Sequence, residues 1–186
     1  MELTQLIKER RSVHQFADRP VSVELVSELL DAAVWVPNHR LTQPWRFVVI
    51  HGEGRRKLAE TVRKFRQERE SDPEKAREIG EKMWNKFMSV PMFIAVVLKV
   101  NADPAIAEED YASASCLIHN FSLLAWEQGI GMVWESYPLL KLEAFREAFG
   151  VQPDERIIAS LHTGYPGKIP PVQARIPARD RLTVME

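Results

Sequence analysis

The first residues that could do chemistry are Arg10, Arg11 and Ser12, where two guanidinium groups and a hydroxyl follow one another. Such a group suits a phosphate monoester, because guanidinium groups bind phosphate oxygens through paired, charge-assisted hydrogen bonds. Basic residues that follow a short helix can also simply complement the helix dipole. Taken alone, these residues leave both interpretations open.

A polar loop at residues 37–45, with the sequence PNHRLTQPW, is the second candidate. It is bracketed by prolines and lies between an apolar helix and an apolar strand. Loops in such positions often carry function. A plain connection between the two elements is the alternative.

Metal and covalent chemistry are not favoured by the remaining residue types. The five histidines show no metal-ligand spacing and Cys116 is the only cysteine, so neither a metal site nor an internal disulfide is expected. Because Cys116 and His119 lie in an apolar helical stretch, we expect a buried thiol and a core imidazole. Residues 164–168 superficially resemble a phosphate loop but lack its glycine spacing and the following serine or threonine, so we expect a turn after a strand.

The composition limits the classes of partner. The chain has 186 residues, of which 45% are hydrophobic, as is usual for one globular domain. Its 25 basic and 26 acidic residues give a formal charge of −1, so no global field favours nucleic acid or an anionic membrane. The first residues are charged and lack a long apolar core, so we expect a cytoplasmic protein without a signal peptide or membrane anchor.

The helices and strands that must position these residues can be predicted from the periodicity of apolar residues and from the glycines and prolines that interrupt it. Helices are predicted over residues 2–9, 22–36, 55–89 with a break near 72–73, 108–128 and 141–149. Strands are predicted over residues 45–50, 91–100, 131–134 and 156–163. The continuous apolar run at residues 91–100 is typical of a central strand. Because helices cluster between isolated strands, the pattern predicts an α+β fold rather than a doubly wound Rossmann sheet.

Several motifs together resemble the nitroreductase family of flavoproteins, and in particular its small YdjA-like branch. They are RRS after a short helix, the capped helix SVELVSELLDAAVWVP, the segment QPWRFVVI, and later EQGIGMVWES and HTGYPGKIPP. The resemblance covers nearly the whole chain. It implies a single FMN-binding domain over residues 1–186, a sandwich with a central, mostly antiparallel sheet flanked by helices, and an intertwined homodimer. Residues 165–186 would be an extended tail that packs on the body or on the partner subunit.

The resemblance also implies the activity. It suggests an FMN-dependent oxidoreductase that uses NADH or NADPH to reduce nitroaromatics, quinones or similar small-molecule acceptors in a ping-pong cycle. The flavin would carry the chemistry, so no catalytic acid or base is expected from the chain. The alternatives are flavin–oxygen chemistry, such as flavin fragmentation or desaturation, and a non-catalytic FMN-binding or storage protein.

Site residues follow from the same resemblance. The phosphate contacts would be Arg10, Arg11 and Ser12, with Arg175 in the tail as a further contact. The loop would bring Asn38 and His39 to the flavin ring of the other subunit. The backbone of Trp134, Glu135 and Ser136 would pass the ring. Trp35 would help to wall the pocket, with aromatic core packing as the alternative for this residue.

The sequence departs from the commoner family pattern at three positions. Leu41 stands where the pattern has an asparagine, so a hydrogen bond to the ring would be lost or replaced by His39. His14 and Gln173 stand where family members often have basic residues. We therefore expect a phosphate site that is less cationic than usual.

Overall fold

The computed structural model describes residues 2–186. Its helices are α1 Leu3–Glu9, α2 Val23–Ala33, α3 Gly54–Gln67, α4 Pro73–Met88, α5 Pro104–Glu127 and α6 Glu143–Ala148. Its strands are β1 Gln15–Phe16, β2 Trp45–His51, β3 Met92–Lys99, β4 Gly131–Glu135, β5 Glu155–Gly164 and β6 Pro166–Lys168. Short 3₁₀ turns lie at His39–Leu41, Pro138–Lys141 and Ala178–Arg181.

The main sheet has four strands in the order β2-β3-β5-β4, and each neighbouring pair is antiparallel. This confirms the predicted α+β class and the mostly antiparallel sheet. β3 lies inside the sheet, as its apolar run predicted, and its residues 92–98 are almost completely buried. A strand that is covered on both faces needs apolar side chains at every position, which explains the continuous run.

Two helical layers cover the two faces of this sheet. Alternate side chains of β3, such as Ile94 and Phe93, enter different apolar clusters because successive residues of a strand point to opposite faces. α2 and α5 pack on the Ile94 face, and α3, α4 and α6 pack on the Phe93 face. The sheet is therefore the middle layer of a sandwich.

Polar caps set several helix boundaries. The Ser22 side chain accepts a hydrogen bond from the Leu25 N–H at 3.1 Å, which confirms the predicted start of α2. α2 ends at Ala33, so the prediction that it continues to residue 36 was wrong. α5 begins at Pro104, earlier than predicted, because the Asp103 side chain caps it by accepting from the Ala105 N–H.

Other sequence-based predictions fail at the surface. The predicted turn at residues 164–168 includes β6, which pairs with β1, and neither of these short strands was predicted. Cys116 and His119 are exposed on α5, so the predictions of a buried thiol and a core imidazole were wrong. Residues 171–186 are also exposed.

Among residues 2–186, no helix combines the length and apolar character needed to span a membrane.

Candidate functional site

The chain after α1 runs along the free edge of β4. Arg10 caps the helix, and its N–H donates to the Leu6 carbonyl at 3.0 Å. The Val13 N–H then donates to the Met132 carbonyl at 3.0 Å, and Ser12 forms a parallel bridge with Met132. These contacts fix Arg10, Arg11 and Ser12 beside the outer strand of the sheet.

Gly131 makes this close approach possible. A Cβ atom at Gly131 would lie 2.5 Å from Cγ2 of Val13 and 3.1 Å from Cγ of Pro166. Real Cβ atoms do not approach a neighbour this closely, so a larger residue would displace the segment that carries Ser12. The glycine is therefore required by packing, since any side chain would separate β4 from the Arg10 segment.

The predicted phosphate contacts line one cavity of about 710 Å³. Arg10, Arg11 and Ser12 form one wall, residues 170–175 of the tail including Arg175 form another, and His119 of α5 also contributes. The structure thus brings the three consecutive residues Arg10, Arg11 and Ser12 together with Arg175, which is distant in the sequence. His119 was missed as a site residue because its apolar sequence neighbours suggested burial.

The cavity is lined by several positive charges and, in the part of the chain that the structure describes, by no carboxylate. Burial lowers the pKa of Arg10 below its ordinary value, and the neighbouring charges of Arg11 and Arg175 lower this pKa further. The Nε atom of Arg10 is buried and has no hydrogen-bond partner. Within residues 2–186, none of these three arginines forms an ion pair.

Among the described residues, the side chains of Arg11 and Arg175 donate hydrogen bonds only to backbone carbonyl groups. Nη1 of Arg11 donates to the Lys8 and Arg10 carbonyls at 2.6 and 2.8 Å. Nη1 of Arg175 donates to the Gln173 and Ala174 carbonyls, both at 3.2 Å. Because these contacts leave the positive charges uncompensated, an anion with several oxygens would satisfy the cluster. The donor set therefore fits a phosphate group.

A second cavity, of about 470 Å³, lies beyond the end of β4. Ser136 lines it together with Tyr111 of α5 and Tyr137, whereas Trp134 is half-buried against the α2–α5 side of the sheet. Tyr111 and His119 are eight residues apart on α5, or about 12 Å. Ser136 follows Met132 by four residues, or about 13 Å of extended chain. Along both elements the two cavities are thus separated by a similar distance, about 12 to 13 Å.

A buried polar pair lies beneath the end of β4. The Tyr137 hydroxyl is 3.3 Å from Nε2 of His162, and the His162 ring contacts Phe93 edge-on at a centroid distance of 4.8 Å. Burial lowers the pKa of His162 to about 3, with Lys86 and His14 adding to the effect. The imidazole is therefore neutral at pH 7. Sequence analysis missed this pair, although a lone histidine within an apolar strand was a visible signal.

The loop before β2 is held together by its own side chains. Nδ2 of Asn38 donates to the Thr42 hydroxyl at 3.0 Å, and Oδ1 of Asn38 accepts from the Gln43 N–H at 2.8 Å. Arg40, Leu41 and Gln43 have positive φ angles of 62°, 49° and 42°. Non-glycine residues rarely adopt this region, so the loop is strained.

Three side chains of α5 support this loop. Glu109 lies 2.7 Å from Nδ1 of His39, with Oε2 as the contacting atom. The Thr42 hydroxyl donates to the buried carboxylate of Asp110. Nδ2 of Asn38 is 3.3 Å from the Ser113 hydroxyl. Glu109, Asp110 and Ser113 are further residues that sequence analysis missed.

The remaining predicted residues do not line the phosphate cavity. Trp35, Asn38 and His39 belong to the loop region, and Trp134, Glu135 and Ser136 lie at the end of β4. Trp35 is 86% exposed in the chain, so core packing within the subunit is not its role. Among the residues that the structure describes, no cluster of His, Cys, Asp and Glu side chains could hold a metal ion.

Comparison with known proteins gives consistent matches. The family model described as the nitroreductase family matches residues 7–165. The chain is 39% identical over 184 residues to "Putative NAD(P)H nitroreductase YfhC" of Bacillus subtilis (strain 168), covering 98% of this chain and 94% of that protein. It is 30% identical over 167 residues to "Putative NAD(P)H nitroreductase YdjA" of Escherichia coli (strain K12), covering 89% of each.

Solved structures share the fold. A nitroreductase-like family protein from Bacillus cereus superposes with a TM-score of 0.89 at 36% sequence identity, covering 100% of this chain and 97% of that one. The FMN and NADPH-dependent nitroreductase NfnB from Sphigopyxis sp. strain HMH superposes with a TM-score of 0.78 at 18% identity, covering 100% of both chains. The second likeness concerns the fold alone.

Proposed function

Because the chain belongs to the nitroreductase family, we propose that it is an FMN-dependent oxidoreductase that takes electrons from NADH or NADPH. It passes them to a small-molecule acceptor such as a nitroaromatic or a quinone, in the cytoplasm. One observation carries the cofactor assignment, namely the buried Nε of Arg10, which lacks a partner inside a cavity that also holds Arg11 and Arg175. The names of the relatives YfhC and YdjA support the redox class and the donor.

Arg10, Arg11, Ser12 and Arg175 would hold the phosphate of FMN. Arg10 supplies the half-buried charge, and Ser12 adds a hydroxyl that is fixed beside β4. Arg175 comes from the tail, so phosphate binding would also fix residues 170–175 against the body. Neutralising three neighbouring cations with one dianion is favourable because the cations otherwise repel one another.

When bound, FMN supplies the redox chemistry, accepting a hydride from the nicotinamide donor and passing electrons to the acceptor. The chain's own task is to bind and orient its ligands. Backbone N–H groups near Glu135 and Ser136 would donate hydrogen bonds to the polar edge of the ring, where they favour negative charge. The Tyr137–His162 contact ties the residue after Ser136 to β5 and so holds this strand end in place.

The unit that functions would be a homodimer. Support comes from large apolar side chains that one chain leaves in water, among them Trp35 at 86% and Leu41 at 74% exposure. The tail adds a second exposed apolar series: Val172, Ile176, Leu182, Val184 and Met185. Such surfaces are usually covered by a partner. A second copy of the chain would cover these side chains. Trp35, Asn38 and His39 of one subunit would then lie beside the flavin ring bound to the other subunit, and the tail of each subunit would lie across its partner.

Binding of FMN and of riboflavin, which lacks the phosphate, tests the cofactor assignment. We expect FMN to bind at least about ten-fold more tightly than riboflavin, since the phosphate gains charged hydrogen bonds. Isothermal titration of the flavin-free protein with each ligand measures this ratio. Equal affinities would contradict the role given to the arginine cluster. Sedimentation of the same sample tests the dimer, and a monomer that binds FMN would refute the shared site.

Two further measurements separate the proposed activity from the alternatives. A storage protein would bind FMN but would not allow its rapid reduction by NADH or NADPH in the absence of oxygen. An enzyme of flavin–oxygen chemistry would convert the flavin or a substrate into an oxidised product under air. Product analysis with and without oxygen, using a panel of nitroaromatics and quinones, therefore distinguishes the three classes.

A further inference from the structure

The strained loop is held in a conformation that it would not adopt without support. Arg40 has a φ of 62° and ψ of 6°, and two more loop residues also have positive φ. Positive φ carries a conformational cost for residues other than glycine, and asparagine is among those that tolerate it better. α5 stabilises the loop through His39–Glu109, Thr42–Asp110 and Asn38–Ser113. Strain that the surrounding structure supports in this way is a feature of functional sites.

Arg40 is the charged side chain that this loop exposes. It forms no ion pair or side-chain hydrogen bond in the part of the chain that the structure describes. The two α5 carboxylates that contact the loop bind other residues of it: Glu109 lies 2.7 Å from Nδ1 of His39, and Asp110 accepts from the Thr42 hydroxyl. Arg40 therefore has no ion-pair partner within residues 2–186, on a loop that α5 holds in place.

Two large apolar side chains of this region are exposed. Leu41 follows Arg40 directly, and Trp35 lies at the start of the loop region. A guanidinium group next to an exposed aliphatic side chain, in a region that also exposes an aromatic ring, suits a planar molecule that carries an anionic substituent. Arg40 also differs from the cavity arginines, because the phosphate cavity does not include it.

We propose that Arg40 is a specificity-determining residue that binds an anionic group on a molecule entering the flavin-ring site of the partner subunit. This rests on the proposed function, which places the loop beside the ring of a second copy. The anionic group has two sources. It is either a carboxylate on an aromatic acceptor or the extra phosphate that distinguishes NADPH from NADH.

Two matched pairs of ligands test the proposal with the FMN-loaded dimer. The acceptors are para-nitrobenzoate and the neutral para-nitrobenzyl alcohol, and the donors are NADPH and NADH. For Arg40→Gln, we expect the KM of the anionic member relative to its matched partner to rise about ten-fold in one of the two pairs. The pair that responds identifies the source. In the same pair, the KM of the anionic ligand should rise with added salt in the wild type and should depend less on salt in Arg40→Gln.

Two further variants control for a change in loop conformation and for a general effect of removing a surface charge. Arg40→Asn removes the charge with a residue that tolerates positive φ, so the loop conformation should survive. Arg77→Gln removes an exposed arginine of α4 that forms no ion pair within residues 2–186, and both ratios should stay at their wild-type values. Unchanged ratios and unchanged salt dependence in both Arg40 variants, with normal FMN content and reduction, would overturn the proposal and leave the proposed function standing. Failure of the wild type to bind FMN would refute the proposed function itself.

Discussion

Replacing Arg10 by alanine should have opposite effects on cofactor binding and on the stability of the flavin-free protein. Arg10 is half-buried, its Nε has no partner, and Arg11 and Arg175 repel it. Without an anion, the guanidinium group therefore contributes desolvation cost and repulsion to the folded state. With the FMN phosphate bound, the same group would donate charge-assisted hydrogen bonds.

The magnitude follows from those contacts. A hydrogen bond to a charged group contributes about 1.5–3 kcal/mol, so Arg10→Ala should weaken FMN binding by that amount. This corresponds to an increase in Kd of about 10- to 150-fold. The flavin-free variant should be as stable as the wild type or slightly more stable, because the lost packing of the side-chain stem is offset by relief of repulsion and desolvation.

Titration calorimetry with FMN and riboflavin, followed by urea unfolding without flavin, measures both effects. Arg10→Ala should reduce the preference for FMN over riboflavin, because only FMN carries the phosphate. Arg179→Ala, at an exposed tail position outside the cavity, is the matched control and should change neither quantity. An Arg10→Ala variant with unchanged FMN affinity but lower stability would show that Arg10 is only structural and would refute the reasoning.

Three further predictions concern residues that position the site. Burial lowers the pKa of His162 to about 3 from about 6.5, so only the unfolded state gains a proton at mildly acidic pH. The free energy of unfolding should therefore fall as pH decreases below about 6.5, by up to about 1.4 kcal/mol per pH unit, and His162→Gln should remove this slope between pH 6.5 and 5 in urea titrations. Gly131→Ala should destabilise the fold by about 1–3 kcal/mol and weaken FMN binding, because its Cβ would displace Val13. Thr42→Val should leave the Asp110 carboxylate unpaired, costing about 1–3 kcal/mol and speeding hydrogen exchange in the loop.

Controls separate each effect from a general loss of stability. His51→Gln changes an exposed histidine, so the free energy of unfolding should still fall between pH 6.5 and 5 as it does in the wild type. This pH range lies above the titration of Glu155, whose pKa is lowered to about 2 by its hydrogen bond with Arg46. Gly129→Ala introduces a Cβ into open space at a φ of 72°, so it should cost stability without changing FMN affinity. An unaltered slope in His162→Gln, wild-type FMN affinity in Gly131→Ala, or wild-type exchange in Thr42→Val would contradict the corresponding account.

The fold could be predicted from sequence where one physical requirement dominates. The run at residues 91–100 predicted a central strand because burial on both faces requires apolar residues throughout. Ser22 predicted the start of α2 because its hydroxyl can accept a hydrogen bond from one of the unpaired N–H groups in the first turn of a helix. Short elements lack such signals. β1 and β6 have two and three residues, and they exist because each pairs with the other.

The site was harder to predict because it depends on contacts between distant segments. The contact of His39 with Glu109 joins positions 70 residues apart, and no local pattern indicates it. Burial on α5 was also misjudged. Ala112, Cys116 and His119 recur at helical spacing on its exposed side, although their sequence neighbours are apolar, so the sequence did not separate the two faces. Arg10 and Arg175 were linked through the family resemblance, and the structure places both at one cavity.

Anaerobic stopped-flow mixing of the FMN-loaded protein with NADH and with NADPH tests the central claim most directly. We expect at least one donor to bleach the oxidised flavin band near about 450 nm rapidly, and a nitroaromatic or quinone added afterwards to restore it, because the bound flavin cycles between its two redox states. A protein that takes up FMN but shows no bleaching with either donor would contradict the account.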